Sequence, residues 1–217
     1  MSRRVVALTG DAWERMAAPC RACMFWELGE RPGGRGVDAD RQAIRKQEWT
    51  TVRVREGDPP GRAIEMDGIL AGFVLFAPAR DMERAPGGMP RSHNDALVLA
   101  TMWIDPVHRN EGLGRVLLQA TIKEAMRLRL AAVEVRADRR WRPGDCVLPI
   151  TWLLHEGFEV VDEHVRWPLL RLDVGRTVRW TESVEQAVGD VLGLLPQRAP
   201  ARRPAVEAGL VESTSPP

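Results

Sequence analysis

Short apolar runs and one long helical pattern alternate along this chain. Residues 3–8 carry Val5, Val6, Ala7 and Leu8 and predict a first strand. Thr9 or Asp11 caps a helix through Trp13 and Met16 that stops near Pro19. Residues 29–36 are rich in Gly, Pro and Arg and read as a loop. A second helix opens at 38–41 and turns Ile44 and Trp49 inward. Apolar runs at 62–66 and 69–77 flank Asp67-Gly68, which predicts a tight hairpin. After a loop over 78–93 come a strand at 96–104, a turn at 109–114, a helix at 113–130 and a strand at 131–137. A short helix over 148–156, ended by Gly157, precedes closing strands at 158–161 and 166–174.

The predicted order is therefore β-α-α-β-β-β-α-β-α-β-β. Strand–helix alternation in the second half requires crossovers and parallel neighbours, while the hairpin in the first half requires antiparallel ones. The fold class that satisfies both is α/β (α+β), a central mixed sheet with helices on both faces. Residues 1–174 are expected to form one domain. Residues 175–195 predict an amphipathic extension through Val184, Val188 and Leu192. The Pro- and Ala-rich stretch 196–217 has too little apolar surface to offset the entropy of ordering and is expected to be disordered.

Composition narrows the partners. The 217 residues have a net charge of +1, which argues against a dedicated nucleic-acid binder. No apolar run approaches the ~18 residues of a membrane span, and the N-terminus lacks the pattern of a secretory signal. A cytoplasmic protein without nucleic-acid or membrane partners is the expectation, as a monomer or homodimer. Three cysteines (Cys20, Cys23, Cys146) are too few for a disulfide framework.

The segment Arg109-Asn-Glu-Gly-Leu-Gly114 joins a strand to a helix start through two glycines. The free N–H groups of a first helical turn point at an anion, and a glycine lets the backbone approach it. Gly114 falls on the apolar face of Leu117, Leu118, Thr121, Ala125 and Leu128, which suggests close packing of the helix on the sheet. The spacing fits neither the dinucleotide fingerprint nor the P-loop, because Leu117 stands at the third glycine position and no Gly-Lys-Ser/Thr follows.

The stretch Trp103-Ile-Asp-Pro-Val-His-Arg-Asn-Glu-Gly-Leu-Gly114 resembles the acyl-coenzyme-A-binding segment of the GNAT acetyltransferase superfamily. Arg109, Gly112 and Gly114 match its Arg/Gln-x-x-Gly-x-Gly/Ala pattern. Trp152-Leu-Leu-His-Glu-Gly-Phe158 matches its later helix that closes in Gly-Phe. The resemblance covers about residues 60–172. It implies a GNAT-like acyl-CoA N-acyltransferase fold, with acetyl-CoA as co-substrate and an amine, small-molecule or protein, as acceptor. Backbone N–H groups across Asn110, Glu111, Gly112, Leu113 and Gly114, flanked by Arg109 and Arg115, would hold the pyrophosphate. The strand at Trp103 and Ile104 would pair with the pantetheine arm, and that strand would splay from the one at 131–137. The rival implication is a GNAT-like module that senses acyl-CoA without turnover.

This chain departs from the family at the general acid. The tyrosine four residues before the Gly of Gly-Phe is Leu153, and the chain has no tyrosine at all. The thiolate then leaves unaided or another group serves. Cys146, at the expected start of the short helix, is one candidate acid, since a helix N-terminus lowers a thiol pKa. Glu134, the carboxylate within the strand at 131–137, is the candidate base if its face lines the cleft. His93 and Asp95 are weaker candidates. His108 would lie beside the turn and His155 on the surface.

Cys20-x-x-Cys23 can ligate zinc or cycle as a redox pair. Zinc needs two further ligands from Cys146 and four histidines. The adopted reading has no metal. In GNAT proteins this region walls the acceptor, so Cys20, Trp26, Glu27 and Trp49 are assigned to an acceptor pocket.

Overall fold

A computed structural model describes residues 2–29, 39–82, 88–143 and 145–175. The chain divides into two units, Met1–Arg179 and Trp180–Pro217. The helix and tail expected over 176–217 lie outside the described residues, as does the loop 30–36.

Strands β1 (Arg3–Ala7), β2 (Gly61–Met66), β3 (Ile69–Pro78) and β4 (Ala96–Ile104) form consecutive antiparallel pairs. Asp67 and Gly68 turn β2 into β3 with both φ angles positive, 50° and 84°, the conformation that matches the twist of a two-residue hairpin. Helix α5 (Leu113–Arg127) then crosses over to β5 (Ala132–Asp138), which pairs with β4 in parallel. Strands β7 (Glu159–Asp162) and β8 (Leu169–Asp173) return antiparallel, giving the order β1-β2-β3-β4-β5-β8-β7. The two-residue β6 (Leu148–Pro149) pairs with β5 and leads into α6 (Ile150–His155).

The sheet separates two cores. On one face α5 and α6 bury Leu113, Leu117, Leu118 and Leu153 against Leu97, Leu99, Val133 and Val135. On the other face Trp13, Met16 and Trp26 cover Ala63, Phe73, Leu75 and Ala100. Strands β3 and β5 are buried along almost their whole length, as strands covered on both faces must be.

The expected first helix is instead three short ones, α1 (Gly10–Glu14), α2 (Ala18–Ala22) and α3 (Phe25–Leu28). Pro19 lies in the first turn of α2 rather than after a helix, where its missing N–H costs nothing. Helix α4 (Ala39–Arg55) reverses the predicted facing of Ile44. Ile44 is 56% exposed, whereas Gln42, Lys46, Thr50 and Arg53 are buried. The cause is polar. This face of α4 meets carbonyl and carboxylate groups, with Lys46 Nζ donating to the carbonyls of Cys20 (2.7 Å) and Cys23 (2.6 Å) and pairing with Glu27 Oε1 (2.9 Å).

Candidate functional site

A bulge opens the sheet at its centre. In the β3–β4 ladder Leu75 faces Thr101 and Phe76 faces Leu99, so Ala100 is an extra residue on β4. An extra residue bends its strand. Pairing between β4 and β5 accordingly covers only Ala96–Leu99 with Ala132–Val135. Beyond that point the strands diverge, as expected for residues 131–137. β8 and residues 166–168 hold one edge of β5, with Ala137 N–H bonded to Pro168 O and Arg139 N–H to Arg166 O. β6 therefore takes the edge that β4 leaves. Thr101 Oγ1 spans the gap by donating to Cys146 O at 2.5 Å.

The opening is a cleft of about 440 Å³ lined on one side by Met102, Trp103 and Ile104 and on the other by Asp145, Val147, Leu148 and Pro149. Its mouth is the glycine turn: Arg109, Asn110, Gly112, Leu113, Gly114 and Arg115 all line it. Gly72 allows this geometry. A Cβ there would stand 2.9 Å from Trp103 O and 2.7 Å from Ile104 Cδ1, so any side chain would push β4 out of place.

The turn leaves backbone amides without helical partners. Asn110 (φ 65°) and Gly112 (φ 78°) are both left-handed, and Gly112 caps α5 without a side-chain hydrogen bond. The first amide of the helix ladder is Val116, bonded to Gly112 O at 3.3 Å. The N–H groups of Leu113, Gly114 and Arg115 therefore have no helical partner, and the first turn holds no acidic residue. A Cβ on Gly112 would enter open space with nothing within 4 Å, which leaves the approach to these amides clear. Arg109 Nε donates back to Ile104 O (3.4 Å), and Arg115 grips Glu156 through two bonds of 2.9 and 2.8 Å, tying α5 to α6 across the mouth.

Gly114 differs from its predicted use. A Cβ there would meet Trp152 at 3.5 Å and Met102 Sδ at 3.8 Å, ordinary contacts with α6 and β4. A single methyl fits, so close packing does not demand glycine; larger groups would narrow the cleft. Glu111 is exposed and lies 3.2 Å from His108.

The structure corrects both catalytic candidates. Glu134 stands opposite Val98, in the paired part of the strands, and is fully buried. It does not line the cleft. Cys146 precedes α6 by four residues, with Pro149 at the N-cap position, so no helix N-terminus acts on its thiol. The side chain packs against the core on the α1–α3 face, as Cys20 and Trp103 do.

The acceptor-wall assignments divide. Cys20 and Trp26 join that same cluster, and Trp26 meets Trp167 of the β7–β8 connection edge to face at 6.4 Å. Arg166 lies over Trp167 at 4.7 Å and pairs with Asp138 at the end of β5. Glu27 is turned inward, 1% exposed, and packs beneath the wall through Lys46. Trp49 lies elsewhere and donates through Nε1 to Asp81 O (3.3 Å). Burial pushes the Cys20 thiol up to about 11 and raises that of Cys23, the opposite of an activated thiol. His155 is exposed, as expected. Trp141, Trp152 and Glu156 also line the cleft, and nothing in their local sequence marks a lining position.

Comparison with known proteins agrees with this geometry. Residues 21–141, over half the chain, match the model of the acetyltransferase (GNAT) family. The fold is similar to that of PaiA N-acetyltransferase from Thermoplasma acidophilum in complex with coenzyme A (14% identity, TM-score 0.55, 80% of this chain and 99% of that one). It is also similar to an N-acetyltransferase from Staphylococcus aureus Mu50 (14% identity, TM-score 0.54, the same coverage). No curated protein matches in sequence. The splayed strands, the glycine turn and the family match lead to one conclusion: the chain belongs to the GNAT acetyltransferase family.

Proposed function

We propose that this protein is an N-acetyltransferase that moves an acetyl group from acetyl-CoA to an amine by direct attack. The observation that carries the reading is the splay of β4 from β5 at Ala100, opening directly onto the unpaired amides of Leu113–Arg115. The pyrophosphate sits on those amides between Arg109 and Arg115. The free edge of β4 at Trp103–Ile104 pairs with the pantetheine arm, and the thioester reaches the bulge. The similar Thermoplasma N-acetyltransferase was crystallised with coenzyme A, which supports a coenzyme A thioester as the donor.

The acceptor approaches from the opposite face, between α2–α3 and the β7–β8 connection. Cys20, Trp26 and Trp167 form its wall. Catalysis at this site requires loss of a proton from the attacking nitrogen and departure of a thiolate, which needs no protein acid when coenzyme A leaves ionised. The donor is an intracellular metabolite, so we assign the enzyme to the cytoplasm.

The test is coenzyme A release from acetyl-CoA across a panel of small amines and peptide N-termini. At least one acceptor should raise release at least tenfold over buffer. Tight acetyl-CoA binding with no acceptor in a broad panel would instead favour the non-catalytic sensor.

A further inference from the structure

We infer that His93 takes the proton from the attacking amine and that Glu134 is the residue that positions it. The inference rests on the acetyl-transfer reading and names the base that reading lacks. Glu134 Oε1 lies 2.6 Å from His93 Nδ1, and Oε2 accepts from the His93 backbone N–H at 2.9 Å. Both oxygens of one carboxylate thus hold one histidine. Arg171 Nη1 donates to Oε1 at 2.8 Å and, with Nη2, grips Asp95 at 3.0 and 2.8 Å.

This arrangement sets the tautomer. A carboxylate beside a guanidinium accepts hydrogen bonds and donates none, so His93 Nδ1 carries the hydrogen. Nε2 then presents a lone pair. The His93 side chain is 56% exposed while Glu134 is 0% exposed, so the carboxylate is withdrawn and the imidazole faces outward. Among the described residues the ring makes no other hydrogen bond.

Position supports the same assignment. Glu134 projects from the face of β5 opposite Val133 and Val135, which is the acceptor face. It stands beside Val98, two residues before the bulge at Ala100, or about 7 Å along a strand. The segment that carries His93 is fixed on this face by Arg136, which donates to Pro90 O at 3.1 and 2.7 Å. In the step itself the nitrogen bonds to the acyl carbon, and the C–S bond breaks with its electron pair going to sulfur. An alkylammonium acceptor first gives a proton to His93 Nε2, which passes it to solvent, and the neutral nitrogen that attacks loses its second proton to water as the amide forms.

The test compares two nucleophiles with acetyl-CoA in the full chain. Butylamine is largely protonated at pH 7.5 and needs a base, whereas hydroxylamine is already neutral and does not. H93A should slow coenzyme A release with butylamine about 100-fold and change release with hydroxylamine less than threefold. Free imidazole should restore part of the butylamine rate, and E134Q should lower it without altering acetyl-CoA affinity. Equal rates for H93A and the parent with butylamine would overturn the role of His93. An equal fall with both nucleophiles, with no rescue, would also overturn it, because that marks a structural effect. Failure of the parent to release coenzyme A with either nucleophile would overturn the transfer reading, and the base assignment with it.

Discussion

Replacement of Lys46 by alanine is expected to cost about 3–5 kcal/mol of folding stability, a large part of the ~5–15 kcal/mol that holds a typical domain. The ammonium is 1% exposed and makes three bonds: to Glu27 Oε1 and to the carbonyls of Cys20 and Cys23. Its removal leaves a carboxylate and two carbonyl oxygens buried without a donor. Breaking one side of a buried pair costs more than replacing both sides with apolar groups. The double variant Lys46→Met, Glu27→Leu should therefore recover most of the loss. Urea unfolding of the three proteins measures this, and a loss below about 1 kcal/mol for Lys46→Ala would show that water replaces the ammonium.

Gly112→Val should weaken acetyl-CoA binding roughly 100-fold, equivalent to about 2.8 kcal/mol. Two effects combine. Gly112 has a φ of 78°, and a β-branched residue there is a steric outlier. Its side chain would also project into the open space before the amides of Leu113–Arg115. The turn is exposed at Gly112, so the rest of the fold should be retained, and thermal unfolding of the variant should confirm this. Unchanged affinity would mean that the pyrophosphate does not lie on these amides.

The sequence was legible where one residue type has one physical use. Asp67-Gly68 specified its hairpin, and Gly112 marked the turn into α5, because few residues adopt positive φ. Apolar runs at 69–77, 96–104 and 131–137 placed the centre of the sheet. Facing was harder. Ile44 was expected inside and lies outside because α4 buries polar groups against the carbonyls of Cys20 and Cys23, a contact between segments that no local period encodes. Glu134 was read from its face alone. Whether it met the cleft depended on where β4 leaves β5, and that is set by the extra residue at Ala100. A bulge carries no fixed sequence mark in an Ala–Thr step, and the partnership of His93 with Glu134 spans 41 residues of sequence.

These placements change how the missing tyrosine is understood. Leu153, at that position, is fully buried in the core beneath α6. Its side chain is apolar and turned into the core, so this position supplies no acid. In the proposed reaction proton removal falls to the acceptor face, and the thiolate departs into the cleft bounded by Trp103, Asp145 and Val147.

The most direct test is titration calorimetry of acetyl-CoA into the full chain. The expected result is saturable binding of one acetyl-CoA per chain, at micromolar affinity. No heat of binding at millimolar acetyl-CoA would contradict it.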